Sequence, residues 1–129
     1  MEALVHIGWE KAVRFVWTSL YCWLLHVSII PQIRAYLLIL VGAKVGKDTI
    51  IMDVDFANAY HYGFRKLVIG RRCFLGDGVM IDLRGGVSLA DDVSVSNRSC
   101  IVTHINVGYK NHPLQKVYPL QEKSVHIAR

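Results

Sequence analysis

Cysteine is scarce in this chain: Cys22, Cys73 and Cys100 are the only three in 129 residues, and no two are spaced as Cys-x-x-Cys. An odd, unclustered set excludes a disulfide framework and a zinc-finger pattern, and it predicts reduced, buried thiols in a cytoplasmic protein. Long basic runs are also missing. Lys and Arg total 15 against 10 Asp and Glu, for a net charge of +5 and a pI near 9.3, yet no more than two basic residues are adjacent, as in Arg65-Lys66 and Arg71-Arg72. That excludes a nucleic-acid-binding stripe. The mildly basic balance suits a phosphorylated cofactor, an anionic membrane surface or ordinary solubility, and composition does not choose among them. A clean apolar run is the third absence. The most apolar window, residues 12–30, contains Arg14 and His26, stops at Pro31 and has no small-residue cleavage site after it. It is a poor signal peptide and barely long enough to cross a membrane. The length itself leaves room for one domain.

What the chain does have is an internal repeat. Ile69, Leu75, Ile81 and Val87 lie six residues apart, and after a two-residue shift Leu89, Val95 and Ile101 resume the step. A small residue or turn former follows several of them, as in Ile69-Gly70, Leu75-Gly76, Leu89-Ala90 and Val95-Ser96, and Val45-Gly46 carries the pattern upstream. Six matches neither the helical period of 3.6 nor the strand period of 2. It matches a three-sided coil in which each six is a short strand and a corner, with the aliphatic residue inward and glycine at corners that need a permissive backbone. The paired glycines of Leu83-Arg84-Gly85-Gly86 mark a bend that accounts for the phase shift.

Trp9, Trp17, Tyr21 and Trp23 fit a helix lying in a membrane interface, with Lys11 and Arg14 toward headgroups. The alternative, an apolar face packed on the first coil or on a neighbouring subunit, stays open. Pro31 opens a second helix, Ile33, Leu37, Leu40 and Val41 fall at helical spacing, and Gly42 supplies its stop. Phe56, Tyr60, Tyr62 and Phe64 alternate partly like an outward-facing strand in an irregular turn, with His61 in a structural role. Residues 104–124 abandon the repeat, and Pro113 and Pro119 mark them as an excursion from the stack. Ile127-Ala128-Arg129 restart it. The predicted organisation is a helical unit over 1–42 followed by an incomplete coil over 43–129, with an excursion loop at about 104–124.

Ile33 to Lys47 (IRAYLLILVGAKVGK), the sixes IGRRCF and LGDGVM, the segment IDLRGGVSLADDVSVS and the closing IVTH together resemble the hexapeptide-repeat acyltransferases, within the group of sugar and polysaccharide O-acetyltransferases. The resemblance covers roughly residues 27–129. It implies a mainly β fold, a left-handed parallel β-helix behind N-terminal α-helices. It further implies a homotrimer with sites between subunits, acetyl-CoA as donor, a saccharide hydroxyl as acceptor and no metal. Relative to that family the chain looks truncated at its C-terminal end, where later coils line much of the donor groove, so no residue is assigned to acetyl-CoA. Localisation follows as cytoplasmic, peripheral at the inner face of the membrane through residues 9–30, with no nucleic acid partner.

A histidine at the start of the excursion is the usual base in that family, and this position matches His104. Imidazole accepts a proton near neutral pH without prior tuning, as transfer from a thioester to a hydroxyl requires. Backbone N–H groups from neighbouring corners are the cheapest donors for the developing oxyanion. Asp82, ahead of the bend, matches a position that contacts the acceptor, with corner capping as the alternative; Arg84 shares that ambiguity. His112, in Asn111-His112-Pro113, competes with His104 and is placed with the acceptor. Asp91-Asp92 is predicted to be a corner. Two other function classes remain: a non-catalytic oligomeric or membrane-proximal scaffold, and a carbonic-anhydrase-like metalloenzyme using His104, His112 and His126, whose spacing alone specifies nothing.

Overall fold

The structure, a computed structural model, describes residues 8–108 and 111–129. Residues 1–7 of the predicted helical unit and 109–110 of the predicted excursion lie outside it.

Helix α1 spans Trp9–Val27, and its inward stripe is Thr18, Tyr21, Cys22 and Leu25, spaced three or four residues apart. Helix α2 spans Pro31–Leu40 with proline in its first turn. The N–H of Gly42 donates to Ile39 O at 3.1 Å and that of Ala43 to Leu38 O at 3.0 Å, which satisfies the last carbonyls while Gly42 takes a positive φ of 100°. The predicted apolar face is displaced. Leu38 and Arg34 point inward, and Ile33 and Leu40 are exposed. Arg34 turns the helix because its guanidinium donates to Leu25 O at 3.0 Å, Ile51 O at 3.4 Å and His26 O at 3.5 Å. It thereby ties the end of α1 to the sheets. No helix among the described residues is long and apolar enough to cross a membrane.

Strands β1 (Lys44–Val45), β2 (Ile50–Ile51) and β3 (Asp55–Ala57) lead to a four-residue helix α3 (Ala59–Tyr62). This helix replaces the outward strand expected from Phe56, Tyr60, Tyr62 and Phe64, and Phe64 is buried. The reason is packing: Phe15 of α1 meets Tyr60 edge-on at 5.4 Å, and Tyr21 meets Phe64 at 6.0 Å. Then come β4 (Leu67–Ile69), β5 (Phe74–Leu75), β6 (Met80–Asp82), β7 (Val87–Leu89), β8 (Ser94–Val95) and β9 (Cys100–Ile101). An antiparallel pair, β10 (His104–Ile105) with β11 (Gln121–Glu122), brackets the 3₁₀ turn Pro113–Lys116, and β12 (Val125–Ile127) ends the order.

Three parallel sheets result, ordered β1-β4-β7-β12, β2-β5-β8 and β3-β6-β9. The mainly β, left-handed β-helix expected over 43–129 is corrected to an α/β arrangement: among the described residues no strand exceeds three residues, the hydrogen bonds run in small separate sheets, no closed or solenoid sheet forms, and helices of 19 and 10 residues precede the strands. Corner residues in left-handed backbone, Asp48, Arg72, Asp92 and Arg98, interrupt the ladder between sheets. The aliphatic register does hold inside these sheets. Ile69 pairs with Leu89 and Leu75 with Val95, and all seven repeat aliphatics are buried.

Gly78 and Gly86 take the positive φ predicted for corners, but the glycines that follow the aliphatic positions have a different duty. Gly70 has an ordinary φ, and a Cβ there would lie 2.6 Å from the backbone of Ala90 and Asp91 in the next pass. Close approach between passes requires it. All three cysteines are free, but only Cys73 is buried; Cys100 is exposed because it precedes the inward Ile101 on a two-residue strand.

Candidate functional site

The parallel pairing of β6 with β9 brings two distant residues together. Thr103 and His104 follow β9 directly, so they stack beside Asp82 at the end of β6. The Nδ1 of His104 is hydrogen-bonded to Asp82 Oδ2. That same oxygen accepts from the Thr103 N–H at 3.0 Å and the Thr103 hydroxyl at 2.8 Å. Oδ1 accepts from Asn58 Nδ2 at 2.8 Å and from the Arg84 N–H at 3.2 Å.

Asp82 is only 1 % exposed. Burial pushes its carboxyl upward, but the hydrogen bonds from His104, the Thr103 backbone, Asn58 and the Thr103 hydroxyl outweigh this and hold it well below the usual carboxylate range. An ionised carboxylate only accepts, so Nδ1 of His104 carries the hydrogen and Nε2 is left with a lone pair whenever the ring is neutral.

His104 lines a cleft of about 220 Å³ with Val102, Thr103, Ile105, Gln121 and Lys123. Its side chain is 19 % exposed, enough to be reached and little enough to be held. A second cleft, about 660 Å³, lies between α1 and residues 59–66. His61 lines this one, and burial lowers its pKa, with the cations Arg84 and Lys11 and nearby His104 adding to the shift against Glu122.

The predicted residues separate into distinct positions. Asp82 stands behind His104, with both oxygens occupied, rather than facing an acceptor. Arg84 donates from Nε to Glu122 Oε1 at 2.6 Å and so fastens β11 to the bend; its guanidinium is the main reason the Glu122 carboxyl is held below its ordinary value. Tyr62 donates to the other Glu122 oxygen at 3.3 Å. His112 caps the 3₁₀ turn by accepting from the Leu114 N–H at 3.2 Å and is not among the residues lining the His104 cleft. His126 is exposed on β12, and among the described residues no group of three His, Cys, Asp or Glu is placed to hold a metal ion. Asp91 and Asp92 do form a corner, where they pair with Arg71 at 2.9 Å and Arg72 at 2.6 Å.

Sequence reasoning missed Thr103, Asn58 and Lys123. Thr103 was within reach, since it precedes the candidate histidine; Asn58 joins the site through the stacking of β3 on β6, and Lys123 through the antiparallel pairing of β10 with β11. No family model, curated protein or solved structure matches the chain.

Proposed function

We propose that this protein is an acetyl-CoA-dependent O-acetyltransferase acting on a saccharide hydroxyl in the cytoplasm, with His104 as general base. The observation that carries this reading is His104, which lines a cleft and is held from behind by the buried Asp82 carboxylate; the resemblance of the surrounding sequence supports it.

In the reaction, Nε2 of His104 takes the acceptor hydroxyl proton as the oxygen attacks the thioester carbonyl. Asp82 holds the ring and stabilises the imidazolium that forms. Lys123, which lines the cleft, is the candidate donor for the oxyanion. When the tetrahedral adduct collapses, the C–S bond breaks, and His104 returns its proton to the departing thiolate. The products are the O-acetyl ester and free CoA.

The cleft is smaller than the roughly 300–1,000 Å³ that usually encloses a small ligand, so one chain holds only the reacting ends of donor and acceptor. The rest of the donor would lie on a second subunit, as the proposed homotrimer supplies.

The test is release of the CoA thiol from acetyl-CoA with a panel of saccharides, with oligomeric mass measured by light scattering. His104→Ala should lower kcat about 10²- to 10⁴-fold. Turnover that survives in His104→Ala would overturn the assignment. A scaffold role is favoured instead if a folded oligomer shows no affinity for acetyl-CoA in calorimetric titration.

A further inference from the structure

Helix α1 carries two apolar stripes, and the body of the protein covers only one. Trp9, Val13, Val16, Leu20, Trp23 and Val27 recur at three- and four-residue steps on the outside, with Trp9 80 % and Trp23 63 % exposed. A surface helix ordinarily presents polar residues there. An apolar stripe of this length on a helix too short and too polar to span a bilayer fits a helix lying along one.

The 660 Å³ cleft beneath the same helix completes the picture. Arg14, Arg65 and Lys66 stand among its lining residues, Trp17 and Tyr60 form part of its wall, and no carboxylate lines it. Lys66 Nζ sits 3.9 Å from the centroid of the Tyr62 ring. Trp17 belongs to both features, since it lines the cleft and is 62 % exposed. Three cations beside a tryptophan-bearing apolar face match the chemistry of an anionic phospholipid: acyl chains against the stripe, phosphate against the cations. A second copy of the chain would bring the same cations and no carboxylate from this cleft to the contact.

We infer that α1 docks on an anionic lipid bilayer, with its outer stripe in the interface and a lipid phosphate held by Arg14, Arg65 and Lys66 in the adjoining cleft. This docking does not depend on the acyl-transfer chemistry, and its test reads no turnover.

The chain has only three tryptophans, Trp9, Trp17 and Trp23, all on α1, so intrinsic emission reports this helix alone. The full chain is titrated with vesicles of phosphatidylcholine alone and of phosphatidylcholine mixed with phosphatidylglycerol, with cosedimentation in parallel. A blue shift and binding more than tenfold tighter to the mixed vesicles are expected, because each cation near an anionic surface contributes about 1 kcal/mol. Arg65→Glu with Lys66→Glu should abolish that preference, while Leu20→Ser should weaken binding to both vesicles, each with circular dichroism unchanged. Three results would overturn the docking: no shift with either vesicle by a folded chain, an equal shift with glycerol phosphate in solution, or an oligomer by light scattering that Leu20→Ser breaks apart.

Discussion

Asp82 is enclosed on every side and accepts hydrogen bonds from Asn58, Thr103, His104 and the main chain of Arg84. Its folded pKa lies below its unfolded value of about 3.9, so its stabilisation is complete above that pH and is lost as pH falls toward the folded value. Asp82→Asn should therefore cost about 1–3 kcal/mol in urea unfolding at pH 7, and the gap from the parent should narrow below about pH 4. The same substitution should lower kcat more than it raises KM, because it removes the carboxylate charge that fixes the ring's tautomer and stabilises the imidazolium. Arg34 is a different case: a buried cation held by three main-chain carbonyls. Arg34→Met should lower stability by about 1.5–3 kcal/mol in thermal unfolding, and Arg34→Lys should not restore it, since a single ammonium cannot reproduce the fork. His104 was singled out in the sequence because it stands where the repeat gives way to the excursion, the position the resemblance gives to a base. The duty of Asp82 was not, because 22 residues separate the pair and only the stacking of β6 on β9 closes that distance. Arg34 was hidden for a related reason: the four aliphatic residues Ile33, Leu37, Leu40 and Val41 drew the helix face toward themselves.

Among the elements, the β10–β11 pair owes its position to the bend that precedes β7. The Gly85 N–H donates to the Thr103 hydroxyl at 2.8 Å, and a Cβ on Gly85 would lie 2.5 Å from Lys123 O and 2.9 Å from Thr103 Cβ. Neither atom is the free end of a long side chain. Gly85→Ala should push Lys123 and β11 outward, costing about 1–3 kcal/mol and a larger fraction of turnover than of stability, checked by comparing thermal unfolding with CoA release. Here the sequence marked the bend, where Gly86 takes positive φ, but not the close approach at Gly85. The residue types announce a turn, while the backbone that fills the space of the missing side chain arrives from far along the chain. α3 was missed outright, since four residues are too few for a helical period and its aromatic residues suit a strand equally well; contact with α1 decided between them.

Across the whole molecule, the six-residue step picks out the interior. Ile81, fully buried between passes, should cost about 2–5 kcal/mol as Ile81→Ala in chemical unfolding. What the step could not convey is where the ladder breaks: positive-φ corners fall at the charged residues Arg72, Asp92 and Arg98, the first two paired across passes, and they leave three small sheets. Those sheets also decide how the protein can change its length. Val45, Ile69, Leu89 and Ile127 are successive rungs of one sheet, yet the chain between rungs is not constant, being longer where it includes α3 and longest where it includes β10 and β11. A residue inserted between Ile69 and Ile101 would turn every later inward side chain outward against a backbone that leaves no gap at Gly70. Inserted in the two detours, away from Tyr60, Phe64 and Lys123, it would leave the register of the stacked passes unchanged. Asn58 borders the first and His104 opens the second, so the stretches free to drift in length are the ones that deliver groups to Asp82, and new specificity can be tried there while the stacked passes stay unaltered.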